Sequence, residues 1–212
     1  MESYSIDKIA EDVRIALDRN RSSDALAEIG DIDTLTIDEI IKSKIVEGVK
    51  RVHSTAPIHL LDAYDQSFGD NISWGDKGNG KVALPNDFMR FICFKMNDWV
   101  RPVYHCMTTD DVEYEKQSSR FKGIRGTAQN PKCFISVNTE GRVLEFYSSK
   151  DATARIEVAN YIPYPKIEDK KIMVSAKCYD AVIYTIAALV LLTFGDAERS
   201  NVFNELSKSA LI

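Results

Sequence analysis

The chain has 212 residues with 27 basic and 32 acidic side chains, a formal charge of −5, 44% apolar residues and 28% charged residues. That length can bury a substantial core as one domain or two small ones, and the balance belongs to a folded chain, not a disordered one. The acidic excess excludes a protein that coats nucleic acid through net charge. Three histidines and four cysteines leave little material for metal or thiol chemistry.

Cys93, Cys106, Cys133 and Cys178 are widely spaced and form no C-x-x-C. Four cysteines allow three pairings, but a chain of this size does not need stapling. Met1-Glu2-Ser3-Tyr4-Ser5 has neither a basic region nor an apolar core, so it does not read as a signal peptide. The expectation is synthesis in a cytosol with reduced thiols.

In chain order, Ser5 caps a helix carried by Ile6, Ile9, Ala10, Val13 and Leu17, which runs to about Arg19. Asn20 to Ser23 is a polar break, followed by a short helical stretch through Leu26 and Ile29. Thr36 and Glu39 form a capping box ahead of Ile37, Ile40, Ile41, Ile45, Val49 and Val52, a helix that ends before Pro57. One more turn is expected over His59 to Tyr64.

The segment Asn71 to Gly80, rich in Gly, Asn and Asp, marks a switch to strand patterns. Strands are expected at Lys81–Leu84, within Met89–Trp99, at Val100–Tyr104 after a turn at Asn97-Asp98, and at Cys133–Val137, Arg142–Tyr147 and Ala154–Ile162, with a short helix within Thr108–Arg120. Beyond Lys170 the pattern is helical again. Ala176, Tyr179, Ile183, Ile186, Ala187, Val190, Leu191 and Phe194 share an apolar face, Gly195 stops it, and Ala197 to Leu211 forms a last helix.

Ala181 to Gly195 is apolar throughout, but as a helix it would rise about 22 Å, short of a bilayer core of about 30 Å. Asp180 and Asp196 bracket it, so a buried helix is expected. Helices, then strands, then helices is not the order of a doubly wound sheet. The fold class expected is α+β: a helical bundle formed by the N- and C-terminal helices, with a central antiparallel β-sandwich-like insertion. The expected division is 1–70, 71–171 and 172–212.

Chemical motifs are sparse. Gly75-Asp76-Lys77-Gly78-Asn79-Gly80-Lys81 fits the start of a phosphate-binding loop, but Val82 stands where Ser or Thr would hold Mg²⁺, and the residues after it look extended. It reads as a glycine-rich connection. His53 and His59 are six apart around Pro57 and are expected at a surface or helix end, and His105 and Cys106 point opposite ways along a strand, with Cys106 buried. Asp110, Asp111, Glu113 and Glu115 suit a helix N-terminus. Arg120, Lys122 and Arg125 around Phe121 make one compact basic loop, and Lys166, Lys170 and Lys171 a second cluster; solvated loops are the expected account of both, with phosphate contact the alternative. Residues 1–40 hold eleven acids against four bases, an acidic helical layer that repels DNA or is simply solvated.

Leu84-Pro85-Asn86-Asp87-Phe88-Met89-Arg90, followed by Trp99-Val100-Arg101-Pro102-Val103, resembles the head–tail adaptor or ring proteins of short-tailed bacteriophages, the tail-tubular-protein-A type. Pro131-Lys132-Cys133-Phe134, Leu144-Glu145-Phe146-Tyr147, Tyr161-Ile162-Pro163-Tyr164 and the run Leu191 to Asp196 continue the likeness over residues 34–212. The string of cues is also similar to ring proteins of crAss-like phages, whose collar stacks several such rings. The first 30 residues have no counterpart in it.

The resemblance implies a structural subunit: about twelve identical copies in a ring, docked below the portal or a neighbouring ring, extending the channel through which DNA passes without specific binding. It implies no enzyme activity, no cofactor and no membrane, with a place in the virion after synthesis in the host cytoplasm. Phe203, Leu206, Leu211 and Ile212 are the candidate anchors to the next layer. Ile183, Ile186, Leu189, Val190 and Phe194 are the candidate core or subunit-interface residues. The alternatives are an interaction module of a cellular complex, or a nucleotide-binding protein using Gly75 to Lys81.

Overall fold

The computed structural model describes residues 1–19, 36–65, 71–75, 79–139, 141–147 and 154–212. The short helix expected around Leu26 and Ile29 lies outside them, as do the acids Asp24, Glu28, Asp31 and Asp33 and the centre of the glycine-rich motif. The elements in order are β1 (Glu2–Ser5), α1 (Ile6–Arg19), α2 (Ile37–Thr55), β2 (Tyr64–Asp65), β3 (Ile72–Trp74), β4 (Asn79–Ala83) and β5 (Phe88–Met96). They continue with β6 (Cys106–Thr108), α3 (Val112–Glu115), β7 (Cys133–Asn138), β8 (Gly141–Tyr147), β9 (Ile156–Pro163), β10 (Ile167–Glu168), β11 (Lys171–Val174), α4 (Tyr179–Thr193) and α5 (Ala197–Ser209). The fold is mixed α+β with several sheets. It divides into Met1–Asp62 with Tyr164–Ile212, and Ala63–Pro163.

The first unit is mainly helical. Ser5 Oγ accepts from Lys8 N at 3.1 Å and caps α1, which buries Ile9, Ala10, Val13, Ala16 and Leu17. Thr36 and Glu39 form the reciprocal capping box of α2, with Thr36 N donating to Glu39 Oε2 at 2.8 Å. Ile41, Ile45, Val49 and Val52 are its buried stripe. α4 packs against α1, α2 and α5, which explains why it is apolar on every side. The helical run Ala176–Thr193, counting the 3-10 turn ahead of α4, has 18 residues and is long and apolar enough to cross a membrane; 61% of it is buried inside the fold. Compared with the apolar stretch Ala181 to Gly195, it starts earlier, at Ala176, and ends at Thr193.

A three-stranded antiparallel sheet, β1–β11–β10, completes this unit. Neither β1 nor β11 is visible in the hydrophobic pattern, which shows Ser5 only as a helix cap and the chain beyond Lys170 only as the approach to the last helices. Each is four residues long, and each exists through pairing with the other. The β10–β11 turn holds Asp169 at φ 48° and Lys170 at φ 59°, the left-handed backbone a two-residue hairpin turn requires. The turn expected over His59 to Tyr64 is a 3-10 turn at Ile58–Leu60.

The second unit has two sheets, ordered β2–β9–β5 and β3–β4–β8–β7–β6. Along β8, Leu144 and Phe146 enter the core while Glu145 and Tyr147 take the other face. The core holds Phe94, Met96, Trp99, Leu144, Phe146 and Tyr161, with Trp99 and Phe146 edge to face at 5.9 Å. Two expectations fail here. Val100–Tyr104 is not a strand; only Val103 bridges to Phe94, because Pro102 removes a ladder donor. The five-stranded sheet is not wholly antiparallel either, since β6 runs parallel to β7 with Cys106 opposite Cys133.

Candidate functional site

The densest polar cluster among the described residues stands on the outward face of the five-stranded sheet, centred on Glu145 of β8. Register places Lys81 of β4 opposite it, and Lys81 Nζ reaches Glu145 Oε1 at 2.9 Å. Ser136 Oγ of β7 donates to the same oxygen at 2.6 Å, and Tyr114 OH of α3 to Oε2 at 3.3 Å. Burial works against the carboxylate's charge, but the Ser136, Lys81 and Tyr114 contacts outweigh it and hold its pKa below the ordinary Glu value. Next along β8, Tyr147 OH donates to Gln117 O at 2.6 Å, and the Arg125 guanidinium lies 4.9 Å from the Tyr147 ring centre.

Both carboxylate oxygens of Glu145 are engaged, so the arrangement ties three strands to α3. Sequence spacing could not assemble it: Lys81, Tyr114, Ser136 and Glu145 meet only through the sheet. The usable signal was the alternation of β8, which sets one carboxylate among apolar neighbours.

The phosphate-loop reading meets two obstacles. Gly80 and Lys81 belong to a strand, not to a turn opening a helix. A Cβ on Gly80 would lie 2.5 Å from the Phe146 ring, so that glycine clears space for the core.

The remaining motifs are accounted for individually. Asp111 caps α3 by accepting from Glu113 N at 2.9 Å. Glu113 is bonded to Lys116 and Lys132, which pull its pKa down to about 2. His53, expected at a surface or helix end, lies in the last turn of α2 but is 1% exposed, and its Nε2 accepts from Ser175 N at 3.3 Å. His59 and His105 are exposed. Cys106 is half-buried, not buried, and desolvation still pushes its thiol up to about 12. All four cysteines are free thiols. Of the acids in residues 1–40, Asp7 pairs with Lys42, Asp12 with Lys8, and Asp38 with Arg14. Lys166 pairs with Glu168. No group of three or more His, Cys, Asp or Glu side chains suited to a metal ion occurs among the described residues.

The candidate interface residues divide sharply. Ile183, Ile186, Leu189 and Val190 are buried within α4's own unit, and Phe194 is half-buried just past its end. Phe203 is 2% exposed with its ring 6.2 Å from Tyr184, so it belongs to the α4–α5 pair and is not presented to a partner. The pair is also pinned by Thr185 Oγ1 to Ser207 Oγ at 2.8 Å and by Ser200 Oγ donating to Ala188 O at 2.9 Å. Leu206 is exposed, Leu211 half-buried and Ile212 fully exposed.

Most residues carrying the sequence resemblance lie in the second unit, whereas Tyr164 and the run Leu191 to Asp196 belong to the first. Asp87 Oδ1 accepts from Tyr161 OH at 3.0 Å, and Phe88 stacks on the Tyr161 ring at 5.5 Å. Arg142 Nη2 donates to Phe88 O at 3.0 Å, and Trp99 Nε1 to Tyr147 O at 3.1 Å. These motifs brace the sheets to one another. No protein-family model matches the sequence, and no curated protein matches it.

Proposed function

We propose that the chain is a structural subunit of a bacteriophage head–tail connector ring, docked below the portal and extending the DNA channel towards the tail. The observation that carries this reading is the convergence of the L-P-x-D-F, W-x-R-P, L-E-F-Y and Y-I-P segments on mutual bracing contacts around Asp87, Phe88, Trp99 and Tyr161. Residues that serve a shared framework instead of a reaction are what a subunit built for assembly needs. In the finer architecture proposed, the terminal helices form a bundle and the β-rich unit is a sandwich-like insertion into it. About twelve copies close the ring, and DNA passes without specific binding. The subunit needs no cofactor, catalyses nothing and contacts no membrane. It is made in the host cytoplasm and ends in the virion.

Leu211 and Ile212, with Leu206 before them, supply an apolar end suited to the next layer. The test is co-sedimentation of the purified chain with the portal protein of the same genome, followed by negative-stain imaging. A collar added below the portal is expected, and it should be lost on deleting Leu211 and Ile212, which leaves Ser207 in place to pin α5 to α4. A chain that never associates with the portal or a neighbouring ring, and is found in a cellular complex instead, overturns the reading in favour of an interaction module.

A further inference from the structure

The turn after α3 exposes apolar surface that its own fold does not use. Phe121 is 73% exposed and Ile124 46% exposed, and Arg120 and Lys122 beside them are exposed too. The tip is nevertheless built. Ile124 N donates to Phe121 O at 3.0 Å, Phe121 N to Ser119 Oγ at 3.2 Å, and Gly126 N to Gln117 Oε1 at 2.7 Å. Arg125, lying over Tyr147, anchors the base, and its buried Nε has no hydrogen-bond partner among the described residues. A held turn presenting a phenyl ring between two cations has the makeup of an interface anchor: an aromatic centre with a charged rim.

The complementary surface lies on α5. Its buried side is Ser200, Phe203 and Ser207. On its open side Val202, 54% exposed, and Leu206 follow Glu198 at four-residue steps, with Glu205 beside Leu206, one stripe at helical spacing. Among the described residues Glu205 pairs with Lys208 three residues on, both 72% exposed, an ion pair weak enough to exchange. Charge is divided in the same sense: the unit containing α5 holds 14 basic and 19 acidic residues, whereas the β-rich unit is balanced at 13 of each. A polyanion is the poorer occupant of the tip, because Asp110, Asp111 and Glu115, all on the same connection as the tip, oppose a run of phosphates.

We infer that the Arg120–Ile124 turn of one copy docks on the Val202–Leu206 stripe of α5 in a second copy, a head-to-tail contact between subunits. Such a heterologous contact closes into a ring or runs on as a filament. The inference deepens the ring reading and rests on it. It assigns Leu206 to the neighbouring copy and leaves Leu211 and Ile212 for the next layer.

Sedimentation velocity of the full chain over a concentration series tests this. Wild type is expected to self-associate. Arg120→Glu/Lys122→Glu, Glu198→Lys/Glu205→Lys and Phe121→Ser should each weaken association by about tenfold or more while circular dichroism stays unchanged. Mixing the two charge-reversed proteins should restore assembly, since each tip then meets a stripe of opposite charge. Damage to folding cannot produce that rescue. Self-association that ignores all three variants overturns the contact and leaves the ring reading standing. A wild type that stays monomeric also overturns the contact, and co-sedimentation with the portal then decides the ring reading separately. Binding of a labelled mixed-sequence duplex that disappears in Arg120→Glu/Lys122→Glu, with sedimentation unchanged, overturns it in favour of phosphate.

Discussion

A methyl group on Gly48 would stand 2.4 Å from Cγ1 of Ile186. That gap sets how closely α2 approaches α4. Glycine in a helix interior costs about 1 kcal/mol against alanine, so a propensity argument alone favours Gly48→Ala. Packing decides the sign the other way. Ile186 is wholly buried, and a β-branched side chain has little rotamer freedom with which to yield. Gly48→Ala should destabilise the chain by about 1–3 kcal/mol, seen as a lower urea midpoint at unchanged slope. Adding Ile186→Ala should recover part of the loss attributable to Gly48→Ala. A more stable Gly48→Ala protein would mean the two helices separate easily.

Lys170 has the opposite defect. Its φ of 59° suits glycine, while a side chain there costs about 1 kcal/mol. Lys170→Gly should raise the thermal midpoint by stabilising the β10–β11 turn, by roughly 1 kcal/mol at most once the extra freedom of the unfolded chain is counted. Asp169→Gly should gain less, because aspartate tolerates this conformation better.

How far these features could be read in advance depends on how local they are. α2 was legible because Thr36, Glu39 and the spaced isoleucines specify it within one stretch of chain. β8 was legible because Leu144 and Phe146 alternate with polar neighbours. β1 and β11 were not, since the Glu2–Val174 register is a pairing across the whole chain and carries no short-range period. The same limit hid Lys81 opposite Glu145, and a glycine-lysine motif drew attention to the wrong property of Lys81. His53 does sit at the helix end that its position suggests, but its burial was hidden for a related reason: Ser175, which follows β11, reaches it only through the fold.

The Glu145 cluster should behave as a brace. Glu145→Ala leaves Ser136 Oγ and Tyr114 OH without their acceptor and should cost about 2 kcal/mol. Glu145→Gln keeps an acceptor oxygen and should cost about half that. Lys81→Met should cost less than 1 kcal/mol, because its ammonium group is at an open position. The three are ranked by urea denaturation. Equal losses for Lys81→Met and Glu145→Ala would place the weight on the ion pair and not on the hydroxyl bonds.

The clearest pH dependence belongs to His53. Burial lowers its pKa from 6.5 to about 4; the chain's amino-terminal ammonium adds to the shift, and Asp62 opposes it. The folded form keeps a neutral ring whose Nε2 accepts from Ser175 N, whereas the unfolded chain takes up a proton near pH 6.5. The unfolded state therefore binds more protons between those values, and stability falls as pH drops through that window. His53's contribution is complete above pH 6.5 and has fallen by about 3 kcal/mol near pH 4. Denaturation midpoints measured from pH 7 to pH 4 should decline in wild type. In His53→Gln, which has no titrating ring, the His53 part of that decline should vanish even though the variant is less stable at pH 7. A variant whose midpoint falls as steeply as wild type would assign the acid sensitivity to carboxylates such as Glu145 instead, whose effect, from a lowered pKa, sets in only as pH falls towards and below the usual Glu value of 4.5.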